Sequence, residues 1–149
     1  MYLVKETSYN KKGTLNICVL GSSEDLKIVE QSMKQTNTWH LRNSNAKTLS
    51  GGEFQRVIIA RALAQQTPVL MLDEPISNLD IQHQFEIMSL LKQINQEGRT
   101  VIIVLHDLNM TMQYCDNVLL MQNGRLALQG SANSFIDEHE RGVEPDEEE

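Results

Sequence analysis

Few folds are compatible with two short apolar runs that flank a single helix-length segment. The runs at residues 69–72 and 101–105 have the length of strands, and we expect the first to be buried. The second is rich in β-branched residues, which is typical of a parallel strand covered on both faces. Between them, residues 81–97 place apolar side chains three apart along one side, and Gly98 provides a C-terminal stop. This order predicts an α/β fold with a parallel sheet.

Further helices are predicted on both sides of this unit. Ser22 and Asp25 form a capping pattern ahead of the first helix. Residues 54–65 have an apolar side typical of a second helix, and residues 108–114 return to a helical pattern after the second run. A helical part therefore precedes the strands.

A hairpin and an acidic tail complete the chain. Asn123 and Gly124 separate two strand-like segments, which strongly predicts a hairpin. From residue 137 onward there are eight acidic residues and one basic residue, Arg141, which accounts for the whole net charge of −7. We expect a partial domain at residues 1–136, with a helical part at about 14–65 and a sheet part at 66–130, and a disordered acidic tail at 137–149.

Composition excludes several classes of function. Hydrophobic residues make up 40% and charged residues 22%, as in globular proteins. No apolar run approaches the roughly 20 residues of a membrane helix, so we expect a cytoplasmic location. Cys18 and Cys115 have no CxxC spacing, which argues against a zinc site or a disulfide framework. No basic stripe is present to neutralise phosphates, and nucleic-acid binding is not predicted.

The turn Leu-Ser-Gly-Gly-Glu at residues 49–53 stands at the start of the second helix. Ser50 can cap this helix, while Gly51 and Gly52 have no Cβ and let a ligand approach the backbone N–H groups at its positive end. That end attracts phosphate. An ordinary capping turn without a ligand is the alternative for so short a pattern.

A carboxylate pair, Asp73 and Glu74, follows the first apolar run. Ligands of open α/β sheets bind at the carboxyl ends of strands. Because strand residues alternate faces, the two side chains should point differently. One carboxylate can hold Mg²⁺, usually through water, while the other accepts a proton from an attacking water. A surface turn at Pro75 is the alternative.

Two more polar residues lie next to the predicted elements. Asp80 ends the segment Ser-Asn-Leu-Asp and is a good N-cap for the helix that follows. His106 ends the second run, where a histidine can donate a hydrogen bond to phosphate, although lone histidines are more often structural. The remaining histidines lie in polar or helical surroundings and receive no role: His40, His83 and His139.

The order and spacing of these four patterns resemble the ABC ATPases, a family of P-loop NTPases. Leu-Ser-Gly-Gly-Glu is similar to the family signature, Val-Leu-Met-Leu-Asp-Glu-Pro to the Walker B strand, Ser-Asn-Leu-Asp to the D-loop, and His106 to the switch histidine. The likeness covers about residues 22–130, and residues 106–130 look most like ATPases of importers for iron-siderophores, haem or cobalamin. It implies a partial ABC ATPase domain: a helical subdomain and the C-terminal part of the parallel sheet.

The resemblance implies a role for each matching residue. Asp73 would support Mg²⁺ through water, Glu74 would be the general base, and His106 would contact the γ-phosphate of ATP. Glu74 and His106 are therefore the candidate catalytic residues, and Asp73 is the candidate metal residue.

The signature residues are expected to act on a neighbouring subunit. Ser50, Gly51 and Gly52 would contact the γ-phosphate of ATP held by the opposite subunit of a head-to-tail dimer, and Glu53 completes that ATP-binding turn. Asp80 would lie at the same interface. The implied partners are a second ATPase subunit, or a missing N-terminal fragment, and a membrane permease at the inner face of the cell membrane.

One motif of the family does not occur in the sequence. No G-x-x-x-x-G-K-[ST] pattern, the Walker A P-loop, is present. Without it there is no lysine or nest of N–H groups for the β- and γ-phosphates, so we expect the chain alone to bind ATP poorly. We interpret the chain as a truncated or split ATPase subunit of an importer. The alternative is a non-enzymatic fragment that pairs with a complete ABC ATPase, or a decayed remnant.

Overall fold

The computed structural model describes residues 22–132. The chain divides into two compact units, Met1–Val104 and Leu105–Glu149, and each is considered by itself. The first contains α1 (Ser23–Gln35), α2 (Gly51–Leu63), β1 (Val69–Asp73), α3 (Ile81–Gln96) and β2 (Thr100–Val104). The second contains α4 (Leu108–Tyr114), β3 (Asn117–Gln122) and β4 (Arg125–Ser131). The predicted acidic tail lies outside the described residues, and the predicted domain boundaries stay a prediction.

Reciprocal capping boxes start α1 and α2. The Ser22 side chain accepts a hydrogen bond from the backbone N–H of Asp25, and the Asp25 carboxylate accepts one from the Ser22 N–H at 2.7 Å. Ser50 and Glu53 form the same arrangement, which starts α2 at Gly51, three residues before the predicted start. The caps predicted at Ser22 and Ser50 are confirmed.

Strands β1 and β2 pair in parallel over their full lengths, which confirms the predicted parallel sheet. Two predictions are wrong among the described residues: that β1 is buried, and that β2 is covered on both faces. Met71 is 73% exposed and Ile102 is 45% exposed, whereas Leu70 is buried. Side chains alternate across a strand, and α3 packs against β2, so the side chains that point away from the covered face stay exposed.

Helix α3 supplies much of the core of the first unit. Its buried side chains are Ile87, Met88, Leu90, Leu91 and Ile94, and α2 contributes Ile59, Ala60 and Leu63. The apolar side predicted for this helix is confirmed, although Phe85 at its edge is 38% exposed. Gly98 follows the helix with a φ of 97°, a left-handed conformation that glycine adopts without strain, and acts as the predicted stop.

The second unit consists of α4 and a hairpin. Asp107 caps α4, and its carboxylate accepts a hydrogen bond from the Met110 N–H at 3.0 Å. Strands β3 and β4 pair antiparallel around Asn123 and Gly124, whose φ values of 50° and 75° match the turn that favours Asn-Gly. The predicted hairpin is confirmed. Within residues 22–132, no helix has both the length and the apolar character that crossing a membrane requires.

Candidate functional site

The turn at Ser50 is built as an open helix N-terminus. The Glu53 carboxylate accepts hydrogen bonds from the Ser50 N–H at 2.8 Å and from the Ser50 hydroxyl at 2.9 Å, and the Ser50 oxygen accepts one from the Glu53 N–H at 3.3 Å. These two donors from Ser50 lower the pKa of Glu53 below its usual value. The first N–H groups of an α-helix have no partner inside the helix, so this end can receive an anion.

Gly51 and Gly52 lie against the start of α3. A Cβ on Gly52 would be 2.9 Å from Cγ and 3.1 Å from Nε2 of His83, and one on Gly51 would be 3.0 Å from Cδ2 of Leu79. The turn therefore contacts the start of α3, while Ser50 and Gly51 are exposed to solvent. Sequence reasoning assigned no role to His83, and the only available signal was its position three residues after the Asp80 cap.

Asp80 forms the N-cap of α3, as predicted. One carboxylate oxygen accepts a hydrogen bond from the His83 N–H at 3.0 Å, and the other lies 2.7 Å from Nδ1 of the His83 ring. These contacts, the backbone one foremost, lower the pKa of Asp80. The structure thus brings together five of the predicted residues with His83, which was not predicted: Ser50, Gly51, Gly52, Glu53 and Asp80.

Asp73 and Glu74 are exposed at the carboxyl end of β1. The Glu74 N–H donates to the carbonyl of Val104 at 3.1 Å, so pairing with β2 continues one residue beyond the strand. Glu74 has a φ of 45°, and its carbonyl accepts hydrogen bonds from the N–H and hydroxyl of Ser77. A left-handed conformation at a non-glycine residue is uncommon, and here it occurs where the chain leaves β1.

The carboxylate oxygens of Asp73 and Glu74 are the ligand type that Mg²⁺ prefers. Among the described residues, no group of three or more His, Cys, Asp or Glu side chains could hold a metal ion. Mg²⁺ sites in ATPases commonly combine one or two carboxylates with waters and substrate phosphates, so the pair fits such a site.

His106 is exposed and belongs to the second unit, directly before the Asp107 cap of α4. Its contact with a phosphate stays a prediction.

Acid is expected to destabilise the first unit through Glu53 and Asp80. Their folded-state pKa values lie below the usual 4.5 and 3.8, so the stability that these caps provide is present above those values and is lost as the pH falls through the folded values. We expect the urea midpoint of unfolding to decrease as the pH is lowered below about 4.5, and Glu53→Gln to make that decrease smaller. The same dependence of the urea midpoint on pH in the wild type and in Glu53→Gln would contradict this.

Comparisons with known proteins agree with one another. The profile of the ABC transporter family matches residues 2–77. The achromobactin transport ATP-binding protein CbrD of Dickeya dadantii is 43% identical over 118 residues, which cover 78% of this chain and 44% of that protein. The hemin import ATP-binding protein HmuV of Pseudomonas aeruginosa is 42% identical over 121 residues, covering 78% of this chain and 48% of that protein.

The likeness extends to solved structures. The protein cbiO1 from Clostridium perfringens, part of the ABC transporter complex cbiONQ, matches with a TM-score of 0.74 and 39% identity, over 83% of this chain and 50% of that one. The chain therefore spans about half, or less, of the length of the proteins that it matches. The match confirms the predicted fold class.

Proposed function

Since this chain belongs to the ABC transporter family, we propose that it takes part in the Mg²⁺-dependent ATP hydrolysis that drives an importer. The proposed substrates are iron-siderophores, haem or cobalamin, because matched relatives are named for achromobactin, hemin and cobalamin. The proposed partners are a membrane permease and a second ATP-binding subunit in a head-to-tail dimer. The proposed location is the cytoplasmic face of the cell membrane, reached through the permease.

The observation that carries this proposal is the placement of Asp73 and Glu74 at the carboxyl end of β1. Glu74 accepts the proton of the water that attacks the γ-phosphate, and its left-handed backbone turns the chain out of the strand at that residue. Asp73 would hold Mg²⁺ through water, and the ion would supply charge neutralisation at the phosphates. His106 donates a hydrogen bond to the γ-phosphate.

The turn at Ser50, Gly51 and Gly52 contributes to the ATP site of the opposite subunit. Its N–H groups and the positive end of α2 stabilise the charge of the γ-phosphate. The Ser50 hydroxyl donates to Glu53 in this structure, so it must change its acceptor when it contacts a phosphate. Asp80, which caps α3 beside this turn, lies at the same interface in the proposed dimer.

The reaction requires a P-loop, and none occurs within the 149 residues. We therefore test the proposal by mixing the chain with a separately produced fragment of a relative that carries the P-loop. Mg²⁺-dependent phosphate release above that of either component is the expected result. The control is the same fragment with its P-loop lysine replaced by alanine, which should release no phosphate because that lysine binds the β- and γ-phosphates. If no pairing hydrolyses ATP, the enzymatic role fails.

A non-enzymatic role is the second candidate, and the intact turn at Ser50 in a sequence without a P-loop favours it. In this role the turn of this chain contacts ATP bound by a complete relative, and that relative hydrolyses the ATP with its own carboxylates. Mixed with such a relative, Ser50→Arg would abolish stimulation and Glu74→Gln would leave it unchanged. In the enzymatic role Glu74→Gln abolishes the turnover that this chain adds.

A further inference from the structure

We infer that His83 is a positioning residue for the turn of Ser50, Gly51 and Gly52. The inference rests on the proposed function, in which this turn contacts the γ-phosphate, and it adds a residue that holds the turn in place. The His83 ring occupies the space where a side chain on Gly52 would begin, with Cγ 2.9 Å and Nε2 3.1 Å from that point and Cδ2 closer still. Gly52 is buried, and the ring is one of its neighbours.

The ring is fixed from its own helix. Its Nδ1 lies 2.7 Å from one oxygen of Asp80, while the backbone N–H of His83 donates to the other oxygen at 3.0 Å. The backbone bond orients the Asp80 carboxylate, and the contact of its second oxygen with Nδ1 restrains the ring. The face that the ring presents to Gly52 is therefore set by the N-cap of α3.

Two more contacts connect the same parts of the chain. Nη2 of Arg56 lies 2.7 Å from Oε2 of Glu86, and these residues follow Gly52 and His83 by about one helical turn. Leu79 lies close to Gly51, with Cδ2 3.0 Å from where a Cβ on that glycine would be. The start of α2 is thus held against the start of α3 at successive positions. Phosphate contacts are sensitive to shifts of about 1 Å, so losing the ring is expected to weaken them.

A double-mutant cycle on the isolated chain tests the contact without ATP. Gly52→Ala should lower the urea midpoint of unfolding, because the new methyl group and the His83 ring compete for one space. In the His83→Ala background the same change should leave the midpoint unchanged or raise it, since the space is open and alanine favours a helix over glycine. Gly52 has an ordinary backbone conformation, so strain does not oppose the substitution. Equal effects in both backgrounds overturn the inference.

Amide hydrogen exchange shows which part of α2 loses protection when His83 is replaced. The N–H groups of Glu53 and Phe54 bond the Ser50 side chain and carbonyl. In His83→Ala, their exchange should accelerate about tenfold, while the later turns of α2 keep wild-type rates. His83→Phe, which retains an aromatic ring but loses the contact of Nδ1 with Asp80, should restore only part of the protection. Gln96→Ala is the control, because Gln96 is exposed in the last turn of α3, about 20 Å further along the helix. Uniform acceleration throughout α2 contradicts local positioning.

ATP turnover in the reconstituted enzyme gives the functional readout. His83→Ala should raise the KM for ATP about three- to tenfold, the effect of losing about one hydrogen bond to the phosphate, and His83→Phe should reverse part of this increase. A lower kcat with an unchanged KM would indicate a loss of folded protein and would overturn the inference. If no pairing hydrolyses ATP, the proposed function fails, while the cycle and the exchange rates still decide whether His83 holds the turn.

Discussion

Replacing Glu74 with glutamine is expected to lower ATP turnover by the reconstituted protein about 10²- to 10⁴-fold, the usual contribution of a general base. Glutamine keeps the size and shape of the side chain but cannot accept a proton from water. The backbone bonds of residue 74, to the Val104 carbonyl and from Ser77, do not involve the carboxylate and should persist. The measurement is steady-state phosphate release, with nucleotide affinity determined separately.

The control for this substitution is Glu24→Gln. Glu24 is also an exposed carboxylate, in the first turn of α1, and it has no place in the proposed reaction. The Glu24→Gln variant should retain wild-type ATP turnover. Nucleotide affinity should be similar in both variants, because the proposed role of Glu74 concerns proton transfer and not binding. Full activity of Glu74→Gln, or equal losses in the two variants, would rule out Glu74 as the base.

Truncating Ile87 to alanine should have the largest effect on stability. This side chain is fully buried in α3, so its removal loses apolar burial and leaves a cavity that the neighbours fill only partly. The expected loss is about 2–5 kcal/mol in the free energy of unfolding. Ile87→Val, which removes one methylene, should cost about 0.5–1.5 kcal/mol and remain measurable even if the alanine variant has no cooperative transition.

Ile81→Ala provides the matched control on the same helix. Ile81 is 63% exposed in the first turn of α3, so the same truncation should change the free energy of unfolding by no more than about 0.5 kcal/mol. Urea titrations followed by circular dichroism measure all three variants. Similar losses at positions 81 and 87 would mean that α3 does not pack as described.

Much of the local structure could be predicted because its causes lie within a few residues. The caps at Ser22, Ser50 and Asp80 each depend on a hydrogen bond to a residue three positions later. The hairpin at Asn123 and Gly124 depends on backbone conformations that these two residue types favour. The candidate site was located in the same way, from short motifs at the ends of elements.

Predictions that depended on distant neighbours were less successful. The sequence suggested that β1 is buried and that β2 is covered on both faces, yet Met71 and Ile102 are exposed among the described residues. An apolar run shows that a strand can be covered, but the elements that cover it lie elsewhere in the chain. His83 was missed for a related reason, since its contact with Gly52 spans 31 positions and has no local signature.

The sequence by itself determined where the helices and strands lie, which residues cap them, and to which family the chain belongs, because these properties follow from side-chain types at short, fixed spacings. Only the tertiary structure showed that the start of α3 packs against the turn at Ser50, Gly51 and Gly52. That arrangement depends on how α2 and α3 pack, with His83 over Gly52 and Arg56 paired with Glu86. Helix packing is set by the fit of whole surfaces, and no short motif encodes it.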